Sequence, residues 1–141
     1  MAEIFLDASY AIALASRSDR HHARAVELAT WIEARQVALI TTRAVMLEIG
    51  NALSKQRHRS AGVTLLKAIE RDAQIEIVPL TEELYAQALA LYERYTDKEW
   101  GLTDCVSFVV MRKRGLQEAL TTDIHFRQAS FRALLLSDSP P

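Results

Sequence analysis

Five short apolar runs alternate with stretches of helical periodicity along this chain, and that alternation restricts the fold more than any other feature. The runs are Glu3 to Leu6, Val37 to Thr41, Ile75 to Val78, Glu118 to Thr122 and Ala133 to Leu136. Between them, residues 19–35 carry Ala25, Leu28, Ala29 and Ile32 at helical spacing, and residues 43–57 carry Val45, Ile49, Ala52 and Leu53. Residues 63–71, 82–95 and 103–114 are also long and periodic enough to be helices. Strands that alternate with helices predict a mainly parallel α/β sheet covered on both faces. The last run is short enough to pair at an edge in either direction.

That topology already constrains function. In a parallel sheet the loops leaving the carboxyl ends of the strands form one rim, where ligands bind. Asp7 directly follows Ile4-Phe5-Leu6, and Asp123 directly follows Leu120-Thr121-Thr122. Glu48 lies in the first turns of the helix after the second strand, and Asp104 opens the helix that precedes the fourth. Four acids far apart in sequence are therefore expected on one rim.

Each has a plainer explanation when taken alone. Asp7 could cap a helix beginning near Ala8, Asp123 could cap a short turn through residues 124–128, and Asp104 could complement the positive end of its helix. Glu48 resists such treatment. It falls on the stripe Val45, Glu48, Ile49, Ala52, which should face the sheet, and a carboxylate there is costly to desolvate unless something pairs with it. The partner is either an Arg or a cation shared with the other acids. Crowding favours the cation, because two unit charges about 4 Å apart repel by roughly 4 kcal/mol at an effective dielectric near 20. Oxygen-only ligands suit Mg²⁺ or Mn²⁺ rather than zinc. An ion held so polarises a phosphate oxygen and activates water, which is the chemistry of phosphodiester hydrolysis.

Composition narrows the alternatives. A chain of 141 residues, 50% hydrophobic and 25% charged, suits one globular domain with its own core. The formal net charge of -1 means that any nucleic-acid contact must come from local basic patches. Two candidates are Lys55, Arg57, His58 and Arg59, and then Arg112, Lys113 and Arg114, although cations also gather at helix C-termini for electrostatic reasons. The single Cys105 cannot form an intrachain disulfide and suits a reducing compartment. Ala13-Leu14-Ala15 imitates a signal-peptidase site, but the first charge is Glu3 and Asp7 interrupts the apolar run. Export is rejected, no membrane span is expected, and the expected location is cytoplasmic. The four histidines lack Cys or His companions at zinc spacing, and His125, although near Asp123, is expected in an exposed loop. Trp100 is expected to pack rather than to stack on a base.

These residues resemble a known family. Phe5-Leu6-Asp7-Ala8-Ser9 resembles the opening motif of PIN domains, and Leu47-Glu48-Ile49-Gly50-Asn51-Ala52-Leu53 resembles their second acidic motif. Leu102-Thr103-Asp104-Cys105-Val106-Ser107-Phe108 resembles the third. Leu120-Thr121-Thr122-Asp123-Ile124-His125-Phe126, followed by Ala129-Ser130-Phe131, resembles the fourth. Within that group the chain is similar to the stand-alone VapC-like toxins, over essentially residues 3–136. One such motif is weak, but four in order are specific. Ser130 stands where many relatives have Gly.

The resemblance implies a PIN-like three-layer α/β/α sandwich with a mainly parallel central sheet. It implies a single domain over residues 1–136, and Ser137-Asp138-Ser139-Pro140-Pro141 reads by composition as a flexible tail at 137–141. Asp7 and Asp104 would be the principal metal ligands, Glu48 and Asp123 would complete the cluster, and Ser9 would support it. The implied activity is an Mg²⁺- or Mn²⁺-dependent endoribonuclease, the toxin of a type II toxin–antitoxin pair. Its partners would be an RNA substrate, a cognate antitoxin protein and a second copy of itself. Trp31, Leu65, Leu66 and Tyr85 are the apolar residues in apparent excess of what one small core needs, and are expected at the homodimer interface.

Two other readings compete. A non-catalytic RNA-binding or regulatory module on the same fold would be favoured by loss of one of the acids, and all four are present. A phosphotransfer domain also puts Asp at strand ends but needs a nucleophile Asp with a second acid close by, which Asp7-Ala8-Ser9 lacks.

Overall fold

Ile4, Phe5 and Leu6 are all buried, which places their strand at the centre of a sheet. The computed structural model describes residues 3–139 and residue 141. Its strands are β1 (Ile4–Leu6), β2 (Leu39–Thr42), β3 (Ile75–Val78), β4 (Glu118–Leu120) and β5 (Arg132–Ala133). They form one sheet in the order β3-β2-β1-β4-β5, and every pairing is parallel, including the edge pair Glu118↔Arg132 and Ala119↔Ala133.

Helices α1 (Ala8–Ala15) and α2 (His22–Arg35) connect β1 to β2, and α3 (Arg43–Ala52) with α4 (Gln56–Arg71) connects β2 to β3. The next connection, α5 (Glu82–Arg94) and α6 (Leu102–Arg114), crosses back over the sheet to β4 beside β1. Because parallel crossovers are right-handed, this reversal of direction sends α5 and α6 to the opposite face from α1, α2 and α4. The result is a three-layer α/β/α sandwich. Strand order reverses between β1 and β4, so the crevice at their carboxyl ends is the expected ligand position. Asp7 and Asp123 emerge there. A short α7 (Ile124–Gln128) and a 3-10 turn (Leu134–Leu136) complete the chain.

An aromatic cluster fixes α6 to the sheet. Phe108 is fully buried, and its ring meets Trp100 and Phe126 edge-on at 5.0 Å and Phe131 at 5.7 Å. Aromatic pairs of this kind contribute about 0.5–1.5 kcal/mol each beyond the area they bury. Trp100 is buried with its indole N–H donated to Gln128, so it packs as expected. Because Asp104 sits one turn before Phe108, the cluster also positions the start of α6.

Several expected boundaries shift for identifiable reasons. The helix expected over 43–57 ends at Ala52, and α4 begins at Gln56. At this break α4 folds back so closely that a Cβ at Gly62 would lie 3.1 Å from Leu53 Cβ, so only glycine sits there without displacing a neighbour. Arg59 donates to the Ser54 carbonyl and satisfies a group left free by the break. Asp19 precedes α2, accepting the His21 N–H at 2.8 Å in a turn. Residues 134–136 are a 3-10 turn rather than strand. Ser130 has φ of 73°, the left-handed region, which explains physically why glycine is favoured there. Of the four apolar residues assigned to an interface, Trp31, Leu65 and Leu66 pack partly against the core, whereas Tyr85 is exposed.

Candidate active site

The site is built on the strand ends. Asp7 is only 4% exposed, and it stands at the N-cap of α1 without making a cap hydrogen bond. Its carboxylate turns across the sheet instead: Thr121 Oγ1 donates to Asp7 Oδ2 at 2.7 Å, and Ser9 Oγ donates to the same oxygen at 3.2 Å. Ser9 in turn accepts the Thr122 N–H at 3.0 Å. The loops after β1 and β4 are thus locked together around one carboxylate, with Ser9 bonded to both. Thr121, which the motif contains but to which no role was assigned, is fully buried and holds Asp7 most closely.

Asp104 and Asp123 each hold a helix start and also reach the rim. Asp104 Oδ2 accepts the Gly101 N–H at 3.1 Å, and Asp123 Oδ1 accepts the His125 N–H at 2.8 Å, so each caps its helix. Both also face the common rim, where Asp104, Asp123 and His125 each offer an atom within 4.8 Å of the others. His125 is therefore no loop residue in solvent. Its Nδ1 lies 3.2 Å from Asp104 Oδ2 and 3.2 Å from Asp123 Oδ1. Periodicity could not have found it, because the contact joins the starts of α6 and α7.

Glu48 projects from the second turn of α3, whose start is capped by the Thr42 hydroxyl accepting the Val45 N–H. Among the described residues it has neither an ion pair nor a hydrogen bond. Burial, then the charges of Asp7, Asp104 and Asp123, push its carboxyl up to about 7 from the ordinary 4.5. Burial likewise raises Asp7 to about 6, against the Thr121 hydroxyl that lowers it and with Asp104 adding to the rise. Burial first and Asp123 second raise Asp104, opposed by the Gly101 N–H and His125. All four predicted acids are therefore brought within electrostatic reach of one another. No Lys or Arg pairs with any of them among the described residues. Carboxylate oxygens crowded in this way, with Glu48 lacking any counter-charge, make a donor set able to hold a hard divalent cation.

The basic clusters do not join this rim. Arg114 is paired with Glu76 through two hydrogen bonds and lies 4.0 Å from Glu3, ahead of β1. It thus sits at the amino ends of the strands, with roughly 15 Å of α6 between it and Asp104. Arg57 and Arg59 are exposed and bond locally, to His58 and Ser54. No helix among the described residues is long and apolar enough to cross a membrane.

A five-stranded parallel sheet with an acidic cluster at its switch point is the architecture of the PIN domain, and the PIN family model matches residues 4–132; the chain belongs to the PIN domain family. Among curated proteins it is similar to the 23S rRNA-specific endonuclease VapC20 of two Mycobacterium tuberculosis strains. Identity to both is 31% over 128 residues, covering 91% of this chain and 95% of the relative. The crystal structure of VapC20 from that organism, described as a Sarcin-Ricin loop cleaving toxin, superposes with a TM-score of 0.80 at 29% identity, covering 91% of this chain and 95% of the other. VapBC2 from Rickettsia felis, solved bound to a DNA fragment from its promoter, gives 0.64 at 12% identity, covering 94% and 97%, and shares the fold.

Proposed function

We propose that this protein is a divalent-metal-dependent endoribonuclease and the toxin of a toxin–antitoxin pair, acting in the cytoplasm on ribosomal RNA. The observation that carries the reading is Glu48: a half-buried carboxylate with no counter-charge, facing three other acids. A cation at the rim would complete such a group and keep it ionised. The similarity over nearly the whole chain to an endonuclease specific for 23S rRNA directs the choice of substrate.

Asp7 and Asp104 serve as the principal ligands of Mg²⁺ or Mn²⁺, and Glu48 and Asp123 complete the set. When bound, the ion supplies a polarised phosphate oxygen and an activated water. The rest is done by the chain. Thr121 and Ser9 fix the orientation of Asp7 through their hydroxyls, while the Gly101 and His125 amides fix Asp104 and Asp123. Carboxylates held this way need no rearrangement when substrate arrives, which is how preorganised sites lower barriers. The same four negative charges repel an RNA phosphate in the metal-free protein, so RNA binding itself depends on the ion.

The partner protein masks this acidic rim. A homodimer is also proposed, through the α5 face on which Tyr85, Leu89 and Tyr92 recur at helical spacing and are 41–50% exposed. The catalytic unit is residues 1–136. The test is cleavage of ribosomal RNA by purified protein with Mg²⁺ or Mn²⁺, and again with excess chelator. Cleavage should require the ion, and Asp7→Asn and Asp104→Asn should each abolish it with an unchanged circular-dichroism spectrum. Full activity of either variant would refute the ligand assignment.

A further inference from the structure

The proposed metal centre uses four carboxylates, but the rim carries a fifth donor beside them. His125 occupies the first turn of α7, and its ring reaches across to α6. Its Nδ1 is 3.2 Å from Asp104 Oδ2 and 3.2 Å from Asp123 Oδ1, equidistant from an oxygen on α6 and one at the N-cap of α7. A single imidazole N–H can serve only one of them well. Equal spacing is, however, what adjacent ligands of one ion show. Metal–ligand bonds of about 2.1 Å at right angles put neighbouring donor atoms about 3 Å apart.

The supports of the two carboxylates point the same way. Asp104 Oδ2 is held by the Gly101 N–H and Asp123 Oδ1 by the His125 N–H, so both oxygens are oriented by backbone amides. Ligating carboxylates are commonly oriented by such outer hydrogen bonds. The His125 side chain is 25% exposed and those of Asp104 and Asp123 are 14% and 33%, leaving an approach for an ion and its waters. The remaining histidines stand elsewhere: His21 precedes α2, His22 bonds the Ala13 carbonyl and His58 bonds Arg57.

We propose that His125 is a nitrogen ligand of this metal centre and makes it selective for a first-row transition ion such as Mn²⁺ over Mg²⁺. Mg²⁺ keeps oxygen ligands and gives up its waters reluctantly, whereas transition ions accept imidazole readily. The inference rests on the metal-dependent reading above but is separable from it. In the metal-free protein the same nitrogen hydrogen-bonds Asp104 and lies beside Asp123, and the ion would take its place between them.

The experiment is pulsed electron paramagnetic resonance of the full chain loaded with Mn²⁺, together with calorimetric titration of Mn²⁺ and Mg²⁺ into the metal-free protein. The spectrum should show the coupling of a directly bound imidazole nitrogen, and Mn²⁺ should bind at least tenfold more tightly than Mg²⁺. His125→Ala and the polar His125→Gln should lose the coupling and weaken Mn²⁺ tenfold or more, while changing Mg²⁺ affinity less than threefold. Binding of Mn²⁺ without nitrogen coupling, or an undiminished Mn²⁺ preference in the variants, would overturn the His125 assignment and leave the nuclease reading intact. A wild-type protein that binds neither ion would overturn both. The wild-type spectrum decides the matter even if a variant fails to fold.

Discussion

Replacing Glu48 by Gln removes one negative charge from the rim with almost no change of shape, and the sign of the resulting stability change separates two accounts of this residue. In the metal-free protein the Glu48 carboxyl is raised from 4.5 to about 7, by burial first and then by Asp7, Asp104 and Asp123. A tenfold change in proton affinity is worth about 1.4 kcal/mol, so the ionised side chain destabilises the fold by at most about 3 kcal/mol. Solvent reaches part of the carboxylate, and screening reduces this to about 1–2 kcal/mol. Between pH 4.5 and 7 the folded protein holds a proton that the unfolded chain has released, so metal-free stability falls as pH rises through that window. Glu48→Gln should therefore be more stable than the parent by about 1–2 kcal/mol at pH 8 in EDTA. The advantage should shrink as pH falls below 7 and be nearly gone at 4.5, where the folded carboxyl is protonated and the unfolded one half so. Excess Mn²⁺ should reverse the order: at a hundred times its Kd it stabilises the parent by about 2.7 kcal/mol, and the variant should lose much of that gain. Urea titrations at pH 8 and pH 4.5, with EDTA and with Mn²⁺, measure all of these. A loss of several kcal/mol by the variant in EDTA at pH 8 would mean that Glu48 neutralises a buried cation, and the account of the rim would fail.

Other expectations follow from single contacts. Thr121→Val removes the closest hydrogen bond to the buried Asp7 carboxylate and should cost about 1.5–3 kcal/mol at pH 8, read by urea denaturation, while weakening Mn²⁺ binding in calorimetry. Phe108→Ala empties the centre of the aromatic cluster and should cost about 3–5 kcal/mol in the same assay, with loss of cleavage because the start of α6 is released. Ser130→Gly relieves a left-handed backbone and should raise stability by up to about 1 kcal/mol without changing cleavage, since a glycine at such a position carries no Cβ clash. Leu89→Asp on the exposed α5 face should leave a 15.9 kDa species in sedimentation where the parent pairs; a parent that is already monomeric at micromolar concentration would contradict the dimer.

Much of the site was legible in the sequence because a parallel sheet sends every strand's carboxyl end to one rim. Asp7 and Asp123 follow β1 and β4 directly, so their convergence required only the strands themselves. Glu48 was legible by contradiction, as an acid on an otherwise apolar stripe. Choosing between cap and cluster for Asp104 and Asp123 was a false alternative, because one oxygen of each accepts an amide and also faces the rim. What sequence could not supply lies in contacts between distant segments. Thr121 reaches Asp7 across 114 residues and His125 reaches Asp104 across 21, and neither distance leaves a periodic trace. The break between α3 and α4 carries no Pro or Gly at Leu53, Ser54 or Lys55. What accompanies it is the close passage of Gly62 nine residues later, a tertiary contact rather than a local signal.

The central claim is that these acids form one metal centre, and the most direct measurement is anomalous scattering from crystals of the protein soaked in Mn²⁺. The account predicts a peak at the carboxyl ends of β1 and β4, within bonding distance of about 2.0–2.3 Å of Asp7 and Asp104 oxygens, with Glu48 and Asp123 bound directly or through water. An ordered crystal at saturating Mn²⁺ with no peak on that rim, or with its only peak elsewhere on the molecule, would contradict it.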